Sequence, residues 1–116
     1  DAEEYLFIEG RADDTIIRGG ENIAPAEIEE ILLMHPSVAQ VCVVGIADDT
    51  WGQRIVAAVV LRSDQSASEE ELRDLVREHL RGSKTPERII FRTELPHTET
   101  GKMLRRLVQQ ELTESL

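Results

Sequence analysis

The sequence has little of several features that mark particular protein classes. A single cysteine, Cys42, among 116 residues excludes an internal disulfide, and its apolar neighbours favour a buried structural thiol over a nucleophile. One unpaired cysteine is compatible with a reducing cytosol, so a cytoplasmic location is expected. No apolar run approaches the ~20 residues of a membrane-spanning helix, and the chain does not open with a signal-peptide pattern. Aromatic residues make up only 3%, so aliphatic side chains must fill the core.

Basic residues are also scarce, and they are unevenly spread. The formal net charge is -10, which argues against nonspecific nucleic-acid binding. Residues 1–72 hold 4 basic and 16 acidic side chains, whereas residues 73–106 hold 9 basic and 5 acidic ones. A locally cationic second half suits a small polyanion such as a nucleotide. Two solvated amphipathic helices that carry arginines would explain the same distribution equally well.

Hydrophobic periodicity predicts one α+β domain over residues 1–116. About three helices should flank a small, mostly antiparallel sheet, preceded by a short β-hairpin. The hairpin, or pair of strands, is expected from the apolar runs at residues 5–9 and 15–18. The expected order then is a helix from Pro25, strands at 38–46 and 54–61, a helix opened by a Ser68 capping box, a strand at 88–91, and a last helix burying Leu104, Leu107, Val108 and Leu112.

Two strings carry most of the functional information. Residues 96–102 read Pro-His-Thr-Glu-Thr-Gly-Lys, a polar loop that brings a lysine to the start of the last helix. Gly101 removes side-chain bulk beside Lys102, so a ligand could approach closely. Residues 10–29 read Gly-Arg-Ala-Asp-Asp-Thr-Ile-Ile-Arg-Gly-Gly-Glu-Asn-Ile-Ala-Pro-Ala-Glu-Ile-Glu. Taken alone, the lysine string would more often mark a solvated side chain than a site.

Together the two strings resemble the C-terminal domain of the adenylate-forming, AMP-binding enzymes, specifically the acyl- and aryl-CoA synthetases. Both occur in the family's order and near its usual separation, and the resemblance covers essentially the whole chain. It implies the mobile catalytic lid of an ATP-dependent carboxylic acid:CoA ligase. The lid would alternate between acyl-adenylate formation and thioester formation with CoA. Because the chain opens on Asp1 and runs at once into strand-like residues, it is expected to be an excised piece of a larger enzyme.

The resemblance assigns three residues to adenylate formation and to the movement between the two poses. Lys102 would be the catalytic lysine that contacts the substrate carboxylate and the nucleotide near the α-phosphate. Asp13 matches the hinge about which the lid rotates, and a short residue at a domain boundary can absorb a large backbone change. Arg11 matches a family arginine near the nucleotide. A plain turn aspartate and a surface salt bridge are the alternatives for Asp13 and Arg11.

The resemblance places a second set of residues along the CoA arm. Gly19 and Gly20 would line the narrow pantetheine tunnel, where a side chain would obstruct a thin ligand. Trp51, the chain's single tryptophan, would pack near the same arm, although a core residue that anchors the loop is equally plausible. Lys84 and Arg88 fall where some relatives contact the CoA phosphates. Some relatives have extra basic residues in this segment, whereas here only Lys84 and Arg88 are cationic and Glu87 opposes them, which weakens that assignment.

The sequence lacks a glycine-rich phosphate loop and any cluster with metal-ligand spacing. ATP and Mg²⁺ are therefore expected to bind mainly to a large N-terminal adenylation domain, the lid's own partner, together with a small carboxylic acid. CoA would be the co-substrate, no nucleic acid or membrane span is expected, and the chain alone should be inactive. Two alternatives stay open: an adenylation enzyme that loads a carrier-protein phosphopantetheine, and a non-catalytic α+β interaction module. The identity of the acid, the oligomeric state and the pathway are not encoded in these residues.

Overall fold

The computed structural model describes residues 15–50, 52–80, 82–96 and 105–115. Within these ranges it contains five strands, three α-helices and one short 3₁₀ turn, as the α+β prediction requires. In chain order they are β1 (Ile16–Arg18), β2 (Glu21–Ile23), α1 (Pro25–Leu32), β3 (Val38–Asp48), β4 (Gly52–Leu61), α2 (Glu69–His79), the 3₁₀ turn (Gly82–Lys84), β5 (Arg88–Arg92) and α3 (Arg105–Ser115).

The strands form two sheets. Strands β1 and β2 pair as an antiparallel hairpin, and the other three form a sheet in the order β3-β4-β5. Strand β4 is antiparallel to β3 and parallel to β5. Helix α2 lies between β4 and β5 in the chain, as a parallel connection requires. Strand β4 is thus the central strand, with a hydrogen-bonded neighbour on each edge.

Helices cover both faces of this sheet, which explains the nearly continuous apolar runs of β3 and β4. Successive strand residues point to opposite faces, and the core divides accordingly. On the face of α1 and α2 the buried side chains include Ile28, Leu32, Val41, Val43, Ile55, Ala57, Val59, Leu72, Val76 and Ile89. On the face of α3 they are Cys42, Val44, Ile46, Val56, Ala58, Leu95, Val108 and Leu112. The expected burial of Cys42 is confirmed.

Local sequence signals explain where the helices begin. Pro25 opens α1, where its missing N–H costs no helical hydrogen bond. Ser68 caps α2: its hydroxyl accepts from the N–H of Glu71 at 3.0 Å, and the Glu71 carboxylate accepts from the N–H of Ser68 at 3.4 Å. This is the predicted capping box.

Two local predictions differ from the structure, and a third is tested only in part. The 15–18 run pairs with β2, immediately after the Gly-Gly turn, whereas the expected strand at residues 5–9 lies outside the described ranges and stays a prediction. Leu107 is 43% exposed because Val108 and Leu112, one turn apart, already face the sheet. Helix α2 ends at His79, before the expected Gly82, which starts the 3₁₀ turn instead. None of the helices in the described ranges is long and apolar enough to cross a membrane.

Candidate functional site

The turn between β1 and β2 holds both of the predicted tunnel glycines. Gly19 has φ +57° and Gly20 has φ +84°, and Arg18 pairs with Glu21 across them. Two consecutive positive φ values are typical of a two-residue type I′ hairpin turn, which strongly favours glycine. A Cβ added at Gly20 would meet no heavy atom within 4 Å. The backbone conformation therefore explains the glycine at position 20, and the space beside it is open.

Polar contacts from three directions hold this hairpin against the rest of the domain. Arg18 forms an ion pair with Glu87 at 3.1 Å. The Ser83 hydroxyl donates to the Glu21 carboxylate at 2.9 Å. The Gln53 side-chain oxygen accepts from the N–H of Ile17 at 2.8 Å. The glycine turn is therefore fixed to β4 and to the connection between α2 and β5.

The two predicted phosphate contacts, Lys84 and Arg88, are both engaged in ion pairs. Lys84 Nζ lies 2.9 Å from Glu27 on α1, and because Ser83 next to it bonds to β2, Lys84 lies beside the hairpin. Arg88 Nε lies 3.1 Å from Glu69, at the start of α2. Either cation would have to exchange a carboxylate for a phosphate in order to bind one.

Glu69 joins the start of α2 to β5. The backbone N–H of Ile89 donates to its carboxylate at 2.8 Å. That hydrogen bond is the main reason why the pKa of Glu69 is lowered, and Arg88 and Arg73 lower it further, against a smaller effect of burial. Arg88 is thus held against the start of α2.

The beginning of α3 is anchored by a group of contacts that sequence reasoning missed. Arg105 pairs with both oxygens of Glu29 on α1 and also donates to the carbonyl of Val43 on β3 at 2.8 Å. Glu29 accepts, in addition, from the N–H of Val43 at 2.8 Å. The Arg105 and Glu29 side chains are only 20% and 14% exposed. Arg105 and Glu29 are 76 positions apart in the sequence, and no local pattern links them.

A small polar cavity of about 180 Å³ lies between β1 and α3. It brings Thr15, two residues after Asp13 in the chain, to the same space as Arg105, three residues after Lys102. Its other lining residues are Ile16, Val44, Gly45, Gln53, Arg106 and Gln109. The described neighbours of the predicted hinge and of the predicted catalytic lysine therefore converge, although they are some 90 residues apart in the sequence.

Four of the predicted site residues lie outside the described residues: Arg11, Asp13, Trp51 and Lys102. Among those described, no group of three or more His, Cys, Asp or Glu side chains could hold a metal ion.

Nearly the whole chain is similar in sequence to known proteins. Residues 27–102 match the sequence model of the AMP-binding enzyme C-terminal domain. The 2-succinylbenzoate–CoA ligase of Bacillus cereus (strain Q1) is 46% identical over 114 residues, which are 98% of this chain and 23% of the relative. The 4-chlorobenzoate–CoA ligase of Pseudomonas sp. (strain CBS-3) is 45% identical, over 97% of this chain and 22% of the relative.

Solved structures agree with this match. A Mycobacterium tuberculosis fatty acyl CoA synthetase superimposes with a TM-score of 0.87 and 36% identity, over 99% of this chain and 23% of that one. ATP-bound MatB from Rhodopseudomonas palustris gives a TM-score of 0.88 and 27% identity, with the same coverage. The chain thus spans less than a quarter of the length of these proteins.

Proposed function

The chain belongs to the AMP-binding enzyme C-terminal domain family, and from that membership we propose that it is the mobile lid of a longer ATP-dependent carboxylic acid:CoA ligase. The observation that carries the proposal is the match over 97–98% of the chain to two enzymes named as CoA ligases. The fourfold greater length of those relatives leaves room for a large N-terminal domain. That domain would bind ATP, Mg²⁺ and the acid, and the enzyme would work in the cytoplasm.

The proposed reaction has two steps. The carboxylate first attacks the α-phosphorus of ATP, forming the acyl-adenylate and releasing pyrophosphate. The CoA thiolate then attacks the acyl carbon, forming the thioester and releasing AMP. Lys102 serves the first step, in which two anions must meet and a cation offsets their repulsion. Losing one preorganised contact of this kind typically costs on the order of 10²–10³ in rate.

Other residues of the lid serve the movement between the steps and the second step. Asp13 is the proposed hinge, and Arg11 lies near the nucleotide. Gly19 and Gly20 line the path of the pantetheine arm, with Trp51 beside it. The open space next to the Gly20 Cα supports this placement, because no atom of the described residues lies within 4 Å of an added Cβ and a thin ligand could approach there.

Lys84 and Arg88 are proposed to contact the CoA phosphates. The Lys84 and Arg88 side chains are 21% and 51% exposed, and each forms an ion pair with a carboxylate, Glu27 or Glu69, that is itself partly exposed. The Arg88–Glu69 pair is exposed, and exposed ion pairs contribute little, typically ~0–1 kcal/mol, so exchanging Glu69 for a phosphate is not prohibitive. The Lys84–Glu27 pair is partly buried on the lysine side, so exchanging Glu27 costs more.

The test uses the full-length enzyme that carries this chain, with the two half-reactions measured separately. Lys102→Ala should lower ATP–pyrophosphate exchange by about 10²-fold or more, while preformed acyl-adenylate still reacts with CoA. Lys84→Ala should instead raise the KM for CoA. Arg77→Gln, on an exposed intrahelical pair with Asp74, is the control and should change neither half-reaction.

The outcomes separate the alternatives. If Lys102→Ala leaves both half-reactions unchanged, the lid proposal fails and a non-catalytic interaction module becomes the better description. If the adenylate reacts with a carrier-protein phosphopantetheine and not with CoA, the acceptor is wrong and the carrier-loading alternative replaces it.

A further inference from the structure

The contacts around Arg105 join three elements at the point where α3 begins. Its guanidinium pairs with both carboxylate oxygens of Glu29, one of them at 3.3 Å, and donates to the Val43 carbonyl at 2.8 Å. The Val43 N–H donates to the same carboxylate. This group, Arg105, Glu29 and the backbone of Val43, is called the clamp below. It ties α3 to α1 and β3.

The clamp constrains the direction of α3 more closely than apolar helix packing alone would. A guanidinium presents its N–H groups in a rigid fork, so a two-oxygen pair fixes direction as well as distance. Both side chains are largely buried, at 20% and 14% exposed, so water competes weakly for these hydrogen bonds. The clamp therefore sets the orientation of the first turn of α3, and not merely its contact with the sheet.

The clamp lies close in the chain to the proposed catalytic lysine. Arg105 follows Lys102 by three residues, and an extended chain advances ~3.3–3.6 Å per residue, so their Cα atoms are no more than roughly 11 Å apart. We propose that Arg105 and Glu29 are positioning residues for Lys102, needed for adenylate formation but not for thioester formation. The inference rests on the proposed function, because it presumes that Lys102 acts in the first half-reaction.

A purely structural clamp makes a different prediction. If Arg105 only stabilised the domain, its loss would weaken both half-reactions in proportion to the unfolded fraction. Leu112→Ala provides that comparison, because Leu112 packs α3 on the sheet at 1% exposure and belongs to the cluster on that face, away from Glu29. Arg77→Met is the control for charge, since Arg77 lies on α2 in an exposed ion pair with Asp74 and does not line the cavity beside Arg105.

The experiment measures both half-reactions in the full-length enzyme for Arg105→Met, Arg105→Lys, Glu29→Gln and the two controls. We expect Arg105→Met to slow adenylate formation by at least about tenfold and to leave the reaction of preformed adenylate with CoA unchanged. Arg105→Lys, which keeps the charge but not the fork, should lie between Arg105→Met and the wild type. Glu29→Gln keeps an acceptor for the Val43 N–H and should resemble Arg105→Met.

A double variant shows whether Arg105 acts through the lysine. Lys102→Ala combined with Arg105→Met should be no slower in adenylate formation than Lys102→Ala alone, because an arginine that only positions the lysine has nothing left to position. Multiplied losses in the double variant would overturn the inference. Equal losses in both half-reactions, matching Leu112→Ala at the same thermal stability, would also overturn it.

Failure of the inference is distinguishable from failure of the proposed function. If Lys102→Ala abolishes adenylate formation while Arg105→Met and Glu29→Gln are as active as Arg77→Met, the lid function stands and the positioning role is wrong. If Lys102→Ala has no effect, the proposed function fails and the positioning role fails with it. Arg105→Lys is the variant with the smallest structural change, so it keeps the test valid if Arg105→Met does not fold.

Discussion

Replacing Gly20 by alanine separates backbone strain from obstruction of the proposed CoA path. Among the described residues, the added Cβ meets no heavy atom within 4 Å, so its structural cost comes from the backbone conformation at φ +84°. A left-handed conformation costs an L-residue roughly 1–2 kcal/mol. Alanine also has less conformational freedom than glycine in the unfolded chain, which stabilises the folded state by about 0.4–1 kcal/mol and offsets part of this cost. The net loss of stability should therefore be no more than about 2 kcal/mol.

That loss is too small to unfold the domain. At 0.05–0.15 kcal/mol per residue, a domain of this size has a free energy of unfolding of roughly 6–17 kcal/mol. Even at the lower limit about 4 kcal/mol would remain, which corresponds to ~99.9% folded protein. A large fall in the rate of thioester formation by Gly20→Ala would then report an obstruction, and not a shortage of folded enzyme.

The assay mixes preformed acyl-adenylate with CoA under single-turnover conditions and measures ATP–pyrophosphate exchange in parallel. Gly20→Ala should slow thioester formation by at least about tenfold and leave the exchange nearly unchanged. Asp64→Ala is the control, because Asp64 also has a positive φ, of 63°, in a turn after β4, so alanine there carries a similar strain away from the hairpin. If folded Gly20→Ala forms the thioester at the rate of Asp64→Ala, the tunnel role of this glycine is wrong.

Three further predictions concern stability of the 116-residue chain. Leu112→Ala should lower the free energy of unfolding by about 2–5 kcal/mol, measured by urea denaturation; a loss below 1 kcal/mol would show that α3 is not packed as described. Ser68→Ala should lower the free energy of unfolding by about 0.5–2 kcal/mol, because it removes the cap of α2. The control is Ser66→Ala, at an exposed position outside the helix, which should change the free energy of unfolding by less than about 0.5 kcal/mol. Acid should destabilise the fold through Glu69 and Glu71, whose pKa values are lowered from the ordinary 4.5, chiefly by the Ile89 N–H and by His35 respectively. Because the folded pKa is the lower one, this stabilisation is complete above pH 4.5 and is lost as pH falls through the lowered values; a urea midpoint that does not change between pH 5 and pH 3 would contradict it.

The parts of the fold that local patterns specify were predictable. Strands β3 and β4 are long, rich in β-branched residues and bounded by polar turns, so both were expected near their observed positions. The capping box at Ser68 located the start of α2. The α+β class followed from the order of these elements, and it is confirmed.

The parts that depend on distant partners were not predictable. Strand β2 has only three residues, Glu-Asn-Ile, too short and too polar to indicate a strand without its partner. The clamp joins Glu29 to Arg105, and nothing near either residue signals the other. On the site itself, the sequence located the glycine turn by its motif, but it gave no sign that Lys84 and Arg88 are held by carboxylates on different helices.

The edge strand of the sheet shows a further consequence of the clamp. Strand β3 has eleven residues, and among the described strands its one hydrogen-bonded neighbour is β4. Where its other side is exposed, unpaired N–H and C=O groups could template a strand from another molecule. Glu29 and Arg105 occupy both backbone groups of Val43, and the Gln109 side chain donates to the Gly45 carbonyl at 2.6 Å. These side chains stand where a neighbouring strand would bind, so the contacts that orient α3 also protect the domain against edge-to-edge aggregation.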